Sequence, residues 1–88
     1  MRKIIASLWK TVNSEIAQNA ARAPYFLVFE NDTFVEAIKN PFTIWGWAWF
    51  ATAELLQEKK CDLFVAGNIW WNLKNELERY GIKYEIKN

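Results

Sequence analysis

The chain has no histidine, a single cysteine, two prolines and three glycines in 88 residues. Without imidazole, acid–base chemistry near neutral pH loses its usual side chain, and the common zinc sets of His and Cys cannot be assembled. The one cysteine, Cys61, excludes a disulfide within the chain. Charge does not gather in blocks. Eleven Lys and Arg stand against ten Asp and Glu, a net +1, which argues against a nucleic-acid groove and against a membrane-surface helix. Apolar runs are short as well. The first, around Ile4 and Ile5, is too brief for a signal-peptide core and far too brief to span a membrane, so the cytoplasm is the expected location.

What the chain does have is tryptophan. With 52% hydrophobic and 17% aromatic residues the composition is that of a folded chain. The length fits one domain, residues 1–88, with a modest core that a ligand, a partner or dimerisation would help to stabilise. Three of the six tryptophans, Trp45, Trp47 and Trp49, alternate in Thr-Ile-Trp-Gly-Trp-Ala-Trp-Phe, residues 43–50. Each indole buries on the order of 150–250 Å² and asks for a partner for its N–H. Such a run fills a pocket, lines one or covers an interface.

Taken in order, residues 3–8 form an apolar run expected to be a buried strand, with Trp9 at its end. Residues 11–22 are polar and small and predict a loop holding a short helical turn. Tyr25–Glu30 and Thr33–Lys39 flank Asn31-Asp32 and predict an antiparallel hairpin, with Phe34 and Ile38 on one face. Asn40-Pro41 ends the second strand. Ala51, Leu55 and Leu56 predict a helix from about residue 46 or 47 to 60, with Glu54, Glu58 and Lys59 on its polar side. Residues 62–66 read as an inner strand ending at Gly67. Asn68 reads as the cap of a second helix carrying Ile69, Leu73, Leu77 and Tyr80, with Gly81 in the left-handed position after it. Residues 82–86 alternate as a last strand.

The order is therefore β, β, β, α, β, α, β. Right-handed crossovers make the first, fourth and fifth strands parallel, beside the antiparallel hairpin, in a mixed α/β sheet.

Five segments carry a resemblance: Arg22-Ala23-Pro24-Tyr25-Phe26, Asn40-Pro41-Phe42, Ala51-Thr52-Ala53-Glu54-Leu55-Leu56, Ala66-Gly67-Asn68-Ile69 and Gly81-Ile82-Lys83. In this order and spacing they resemble the dinitrogenase iron-molybdenum cofactor biosynthesis family. The resemblance covers nearly the whole chain and implies a ribonuclease-H-like α/β fold. It also implies a small carrier or accessory protein that holds a molybdenum- or iron-containing metal–sulfur cluster without catalysing a reaction. Where the family has His-Phe-Gly before the arginine, this chain has Asn19, Ala20 and Ala21. Where the family has a glycine-rich loop opening the first helix, this chain has Trp45-Gly46-Trp47-Ala48-Trp49, and Trp70-Trp71 replace the Gly-Pro after Gly-Asn-Ile. Bare N–H groups at such a helix start would face an anion, and indoles there would shield them.

In an open α/β sheet the carboxyl ends of the parallel strands and the helix starts that follow form one crevice. Trp9, Trp45, Trp47, Trp49, Trp70 and Trp71 all map to that edge, with Asn19, Arg22 and Asn68 beside them as further candidate ligand-binding residues. Three readings of the rings stand side by side: core filling, an aromatic-lined site for a flat molecule or cation, and an exposed patch for a homodimer or protein partner. Cys61 is a thiolate ligand on one reading and a small buried hydrophobe on the more ordinary one. Arg22 meets an anion, or bonds a loop carbonyl. Glu54 and Glu58 lie one turn apart but lack a third partner, so a solvated helix face is the plain reading. No nucleophile has a base beside it and no phosphate loop is present, so no enzyme is expected. The first expectation is a non-catalytic small-molecule or cluster-carrier module. The second is a structural or interaction domain whose pocket the tryptophans fill.

Overall fold

The computed structural model describes residues 1–44 and 46–87. Among these, strands β1 (Arg2–Ser7), β2 (Tyr25–Glu30), β3 (Thr33–Lys39), β4 (Leu63–Ala66) and β5 (Lys83–Ile86) form one sheet, with helices α1 (Ala48–Glu58) and α2 (Trp71–Arg79) on either side of β4 in sequence. The sheet order is β3-β2-β1-β4-β5. β1 lies antiparallel to β2 and parallel to β4, and β4 lies parallel to β5, the mixed α/β arrangement expected from the sequence.

Pairing decides which side chains share a face. Ile4 lies opposite both Val28 and Phe64, and Ala6 lies opposite Phe26. These residues, with Ala66, pack in one cluster with Ala53 and Leu56 of α1 and Leu73 and Leu77 of α2. Both helices therefore cover the same face of the sheet, while Leu27 and Val65, buried but outside that cluster, belong to the other face. Phe26 and Phe64 meet edge to face with centroids 6.1 Å apart. Truncating either to alanine would cost about 3–5 kcal/mol.

The hairpin turn at Asn31 and Asp32 has φ of 50° and 68°, the left-handed pair that the right-handed strand twist favours and that Asn and Asp tolerate. One expectation fails in β3. Phe34 pairs with Phe29 whereas Ile38 pairs with Phe26, because the register shifts between Val28 and Phe29. Positions 26 and 29 point to opposite faces, so Phe34 and Ile38 do too. Val35 is the extra residue of a bulge, and each bulge inverts the alternation beyond it.

Two other boundaries move. The segment expected as a polar loop, residues 11–22, buries Ala17, Ala20 and Ala21. No helix forms in it; the chain turns at residues 12–13, where Ser14 N–H donates to the Thr11 carbonyl at 3.1 Å, and again at 21–22. Ile16 pairs with Ser7 and Asn19 with Asn68 in isolated bridges. That second bridge also displaces the start of α2. Asn68 stays extended beside Asn19, and its side-chain oxygen accepts from the Ile69 N–H at 3.0 Å. The helix begins at Trp71, with Trp70 as the flanking residue at φ −70°, ψ 155°.

Both helices end in the same motif. After α2, Ile82 N–H donates to Leu77 and Gly81 N–H to Glu78, with Gly81 at φ +74°. After α1, Cys61 N–H donates to Leu56 and Lys60 N–H to Gln57, with Lys60 at φ 56°. This is the paired-carbonyl closure that glycine usually provides, and in α1 a lysine provides it.

Candidate functional site

The carboxyl ends of β1, β4 and β5 share one edge of the sheet, where the segment after β1 and the starts of both helices converge. A cavity of about 340 Å³ opens there, lined by Asn19 to Arg22 on one side, Gly46, Ala48 and Trp49 at the start of α1, and residues 70–73 at the start of α2.

The backbone is prepared for a ligand at both helix starts. Neither α1 nor α2 carries a side-chain cap or an acidic residue in its first turn. In each first turn the third N–H is already taken, Phe50 donating to the Trp47 carbonyl at 3.0 Å and Leu73 to the Asn72 side-chain oxygen at 2.8 Å. The two N–H groups before it have no partner inside the helix, and the dipole adds partial positive charge at that end. Among the described residues that line the cavity, Arg22 is the one charged side chain. Its Nη1 donates to the Thr43 carbonyl at 2.6 Å, which holds the guanidinium at the rim and leaves its other donors available. No carboxylate stands among the described residues that line the cavity. Potential and hydrogen-bond donors thus favour an anion.

The segment from Ala21 to Ala23 is fixed from the end of β3. Asn40, only 4% exposed, donates through Nδ2 to the carbonyls of Ala21 at 3.0 Å and Ala23 at 2.9 Å. Its Oδ1 accepts from the Phe42 N–H at 2.9 Å. One side chain thereby ties the wall that carries Arg22 to the chain entering α1.

Of the residues singled out in the sequence, Asn19, Arg22, Trp49, Trp70 and Trp71 meet around this cavity. Trp49 is half-buried and packs against the core. Trp47 stands beside the cavity and not in its wall, tilted 35° against the Trp49 ring with centroids 5.5 Å apart. Trp47, Trp70 and Trp71 are 68%, 59% and 71% exposed. Trp9 turns away to meet Tyr25 edge to face at 5.6 Å, with the Lys10 ammonium over its ring. Asn68 lies on the far side of its bridge to Asn19 and does not line the cavity. Trp45 lies outside the described residues.

Ala48 and Asn72 line the cavity without having been singled out. Asn72, in the first turn of α2, was hidden by the assumption that the helix begins at Asn68. The Glu54 and Glu58 pair sits over a separate, shallower hollow with Phe42 and Leu55. Cys61 lies at the opposite edge, before β4, and burial pushes its thiol from an ordinary 9.0 up to about 12. Among the described residues no three His, Cys, Asp or Glu side chains gather as a metal set, and no helix is long and apolar enough to cross a membrane.

Solved structures share this architecture. The apo form of the orange protein from Desulfovibrio gigas superposes with a TM-score of 0.85 at 20% identity, covering 94% of this chain and 72% of its own. A Thermotoga protein assigned as NifB, of the DUF35 family, gives a TM-score of 0.82 at 23% identity, covering 99% of this chain and 76% of its own. At such identities the likeness speaks for the fold. No curated protein matches the sequence. The family described as dinitrogenase iron-molybdenum cofactor matches residues 1–87, and the chain belongs to that family.

Proposed function

We propose that the protein is a non-catalytic carrier module whose cavity takes a small anion with its own complete ligand shell, a thiometallate such as thiomolybdate being the type. The observation that carries this reading is the cavity itself, set between two helix starts whose flanking residues, Trp47 and Trp70, give no side-chain cap, with Arg22 as the one charged side chain among the described residues that line it. The donor set speaks against direct metal ligation: no histidine exists in the chain, and the single thiol is protonated and buried at the other edge of the sheet. An anionic cluster held as cargo asks for no coordinating side chain. It asks for N–H donors, positive potential and walls that exclude water. Asn19, Arg22, Asn72 and the N–H groups of Ala48, Trp49, Trp71 and Asn72 offer the donors, and Trp49, Trp70 and Trp71 offer the walls.

Membership of a cofactor-biosynthesis family supports the carrier part of the reading. The cytoplasm is the proposed location. In the competing reading tryptophans fill the family pocket. The open cavity, and the exposure of Trp70 and Trp71 beside it, favour the carrier.

Equilibrium dialysis against tetrathiomolybdate tests the proposal, with chloride and a cationic indole-sized dye as comparators. Thiomolybdate alone should be retained. Arg22→Ala should weaken it by about tenfold, the usual loss for one charge-assisted hydrogen bond, and Trp70→Ala should weaken it without unfolding the protein. Retention unchanged in both variants, or no retention by the parent chain, overturns the reading.

A further inference from the structure

The cavity sits in the middle of an apolar surface larger than the cavity needs. On the α1 side Trp47 stacks on Trp49, and Phe50 meets the same ring edge to face at 5.8 Å. On the α2 side stand Trp70 and Trp71, which share the cavity wall with Trp49. Ile44, next to the Thr43 carbonyl that holds Arg22, is 89% exposed. Taking about 250 Å² for a whole indole side chain, Ile44, Trp47, Phe50, Trp70 and Trp71 leave on the order of 700 Å² uncovered. Monomers rarely expose more than a few hundred Å² in one patch. A stable interface needs about 800 Å² from each partner.

From this we infer that the protein pairs with a second copy of itself through the tryptophan face, about a two-fold axis running past the cavity mouth. Area is the first argument, since one patch is close to half of a standard interface. Charge is the second. A partner chosen by charge would require a run of one sign, whereas the described residues lining the cavity include Arg22 as their one charged side chain and the chain carries a net +1, so two copies meet without a block of like charge there. Shape is the third. The patch consists of two aromatic ridges, one on each helix start, with a depression between them, and a two-fold rotation sets the α1 ridge of one copy against the α2 ridge of the other. The inference stands whether or not the cavity holds an anion.

Sedimentation of the ligand-free protein over a range of concentrations reads this directly. The mass should rise from 10.4 kDa toward twice that value and stop there, because an isologous contact closes. Trp47→Lys and Trp71→Lys change exposed side chains, so each should keep the parent far-ultraviolet circular dichroism while raising the dimer dissociation constant by at least about tenfold. Val35→Lys, on the exposed bulge of β3 near the opposite edge, should leave dimerisation unchanged. A parent chain that remains monomeric up to about 1 mM overturns the proposal. So does association that continues past two copies, dissociation by Val35→Lys but not by the tryptophan variants, or partition onto lipid vesicles in place of self-association.

Discussion

The Asn40 side-chain amide donates to the Ala21 carbonyl across 3.0 Å, so the last residue before Pro41 sets the position of a cavity wall nineteen residues earlier in the chain. The same nitrogen reaches Ala23, and the same side chain accepts from Phe42. Replacing it strands several buried backbone groups at once, each costing about 1–3 kcal/mol. Asn40→Ala should therefore lower the free energy of unfolding read from a urea titration by at least about 2 kcal/mol and loosen Arg22. Loss of stability together with unchanged anion affinity would separate the two roles. Asn40→Asp should lose less at pH 4 than at pH 7, since a carboxylate facing two carbonyls regains a donor when it is protonated.

Gly67 and Gln18 meet in a different way. A Cβ on Gly67 would fall 2.9 Å from the Gln18 Cα and 2.7 Å from its side-chain nitrogen, while the Gly67 N–H donates to the Ala17 carbonyl at 2.8 Å. Backbone cannot swing aside as a side chain can. Gly67→Ala should displace the segment from Ala17 to Asn19, costing about 1–3 kcal/mol as overpacking does. Amide chemical shifts of Asn19, Ala20 and Ala21 should move with it, and unmoved shifts would show that β4 yields instead.

The strands and their directions were legible in the sequence because apolar runs and alternation are local signals. So was the left-handed Gly81. Three features were not. The inversion between Phe34 and Ile38 comes from one extra residue in β3, which leaves no mark in composition. The late start of α2 follows from a tertiary bridge, Asn19 to Asn68, which outcompetes the capping preference of Asn68. The buried alanines of the segment after β1 look polar in sequence because their neighbours are. For the candidate site, the topology brought Trp9, Trp47, Trp49, Trp70 and Trp71 to one edge, yet which rings meet depends on side-chain rotation: Trp9 turns to Tyr25, while Trp49 turns inward.

Lys60 closes α1 with φ of 56°, a conformation that costs a residue with a Cβ roughly 1 kcal/mol relative to glycine. Its side chain is exposed, so little packing is lost on truncation. Lys60→Gly should raise stability by about 0.5–1 kcal/mol in chemical denaturation, and Lys60→Val should lower it. A neutral or destabilising Lys60→Gly would show that unfolded-state entropy outweighs the relieved strain.

Thr52 in α1 has a wholly buried hydroxyl with no hydrogen-bond partner among the described residues. An unpaired buried hydroxyl is held at a cost of about 1–3 kcal/mol, and valine keeps the branched shape without it. Thr52→Val should raise the urea midpoint, with a gain in unfolding free energy in that range. Thr52→Ser, which keeps the hydroxyl and removes a methyl, should lower it. Equal midpoints for the parent and Thr52→Val would mean that the hydroxyl finds a partner in solution.

Cys61 links this packing to pH. Burial is the main cause of its raised pKa, the Asp62 carboxylate adds to it, and hydrogen bonds from the backbone at Ile4 and Leu63 oppose it; the result is about 12 against an ordinary 9.0. The folded state thus prefers the neutral thiol. Below pH 9.0 both states keep the proton and the preference has no pH dependence. Between 9.0 and about 12 the unfolded chain ionises first and stability falls, at up to about 1.4 kcal/mol per pH unit for this one group. Cys61→Ala should flatten that part of the alkaline limb, although it loses some packing at every pH. Alkylation by iodoacetamide at pH 8 should be slow in the native protein and rapid in urea. Fast native alkylation, or an alkaline limb identical in parent and Cys61→Ala, would show that the start of β4 opens and that the thiol is not held in the core.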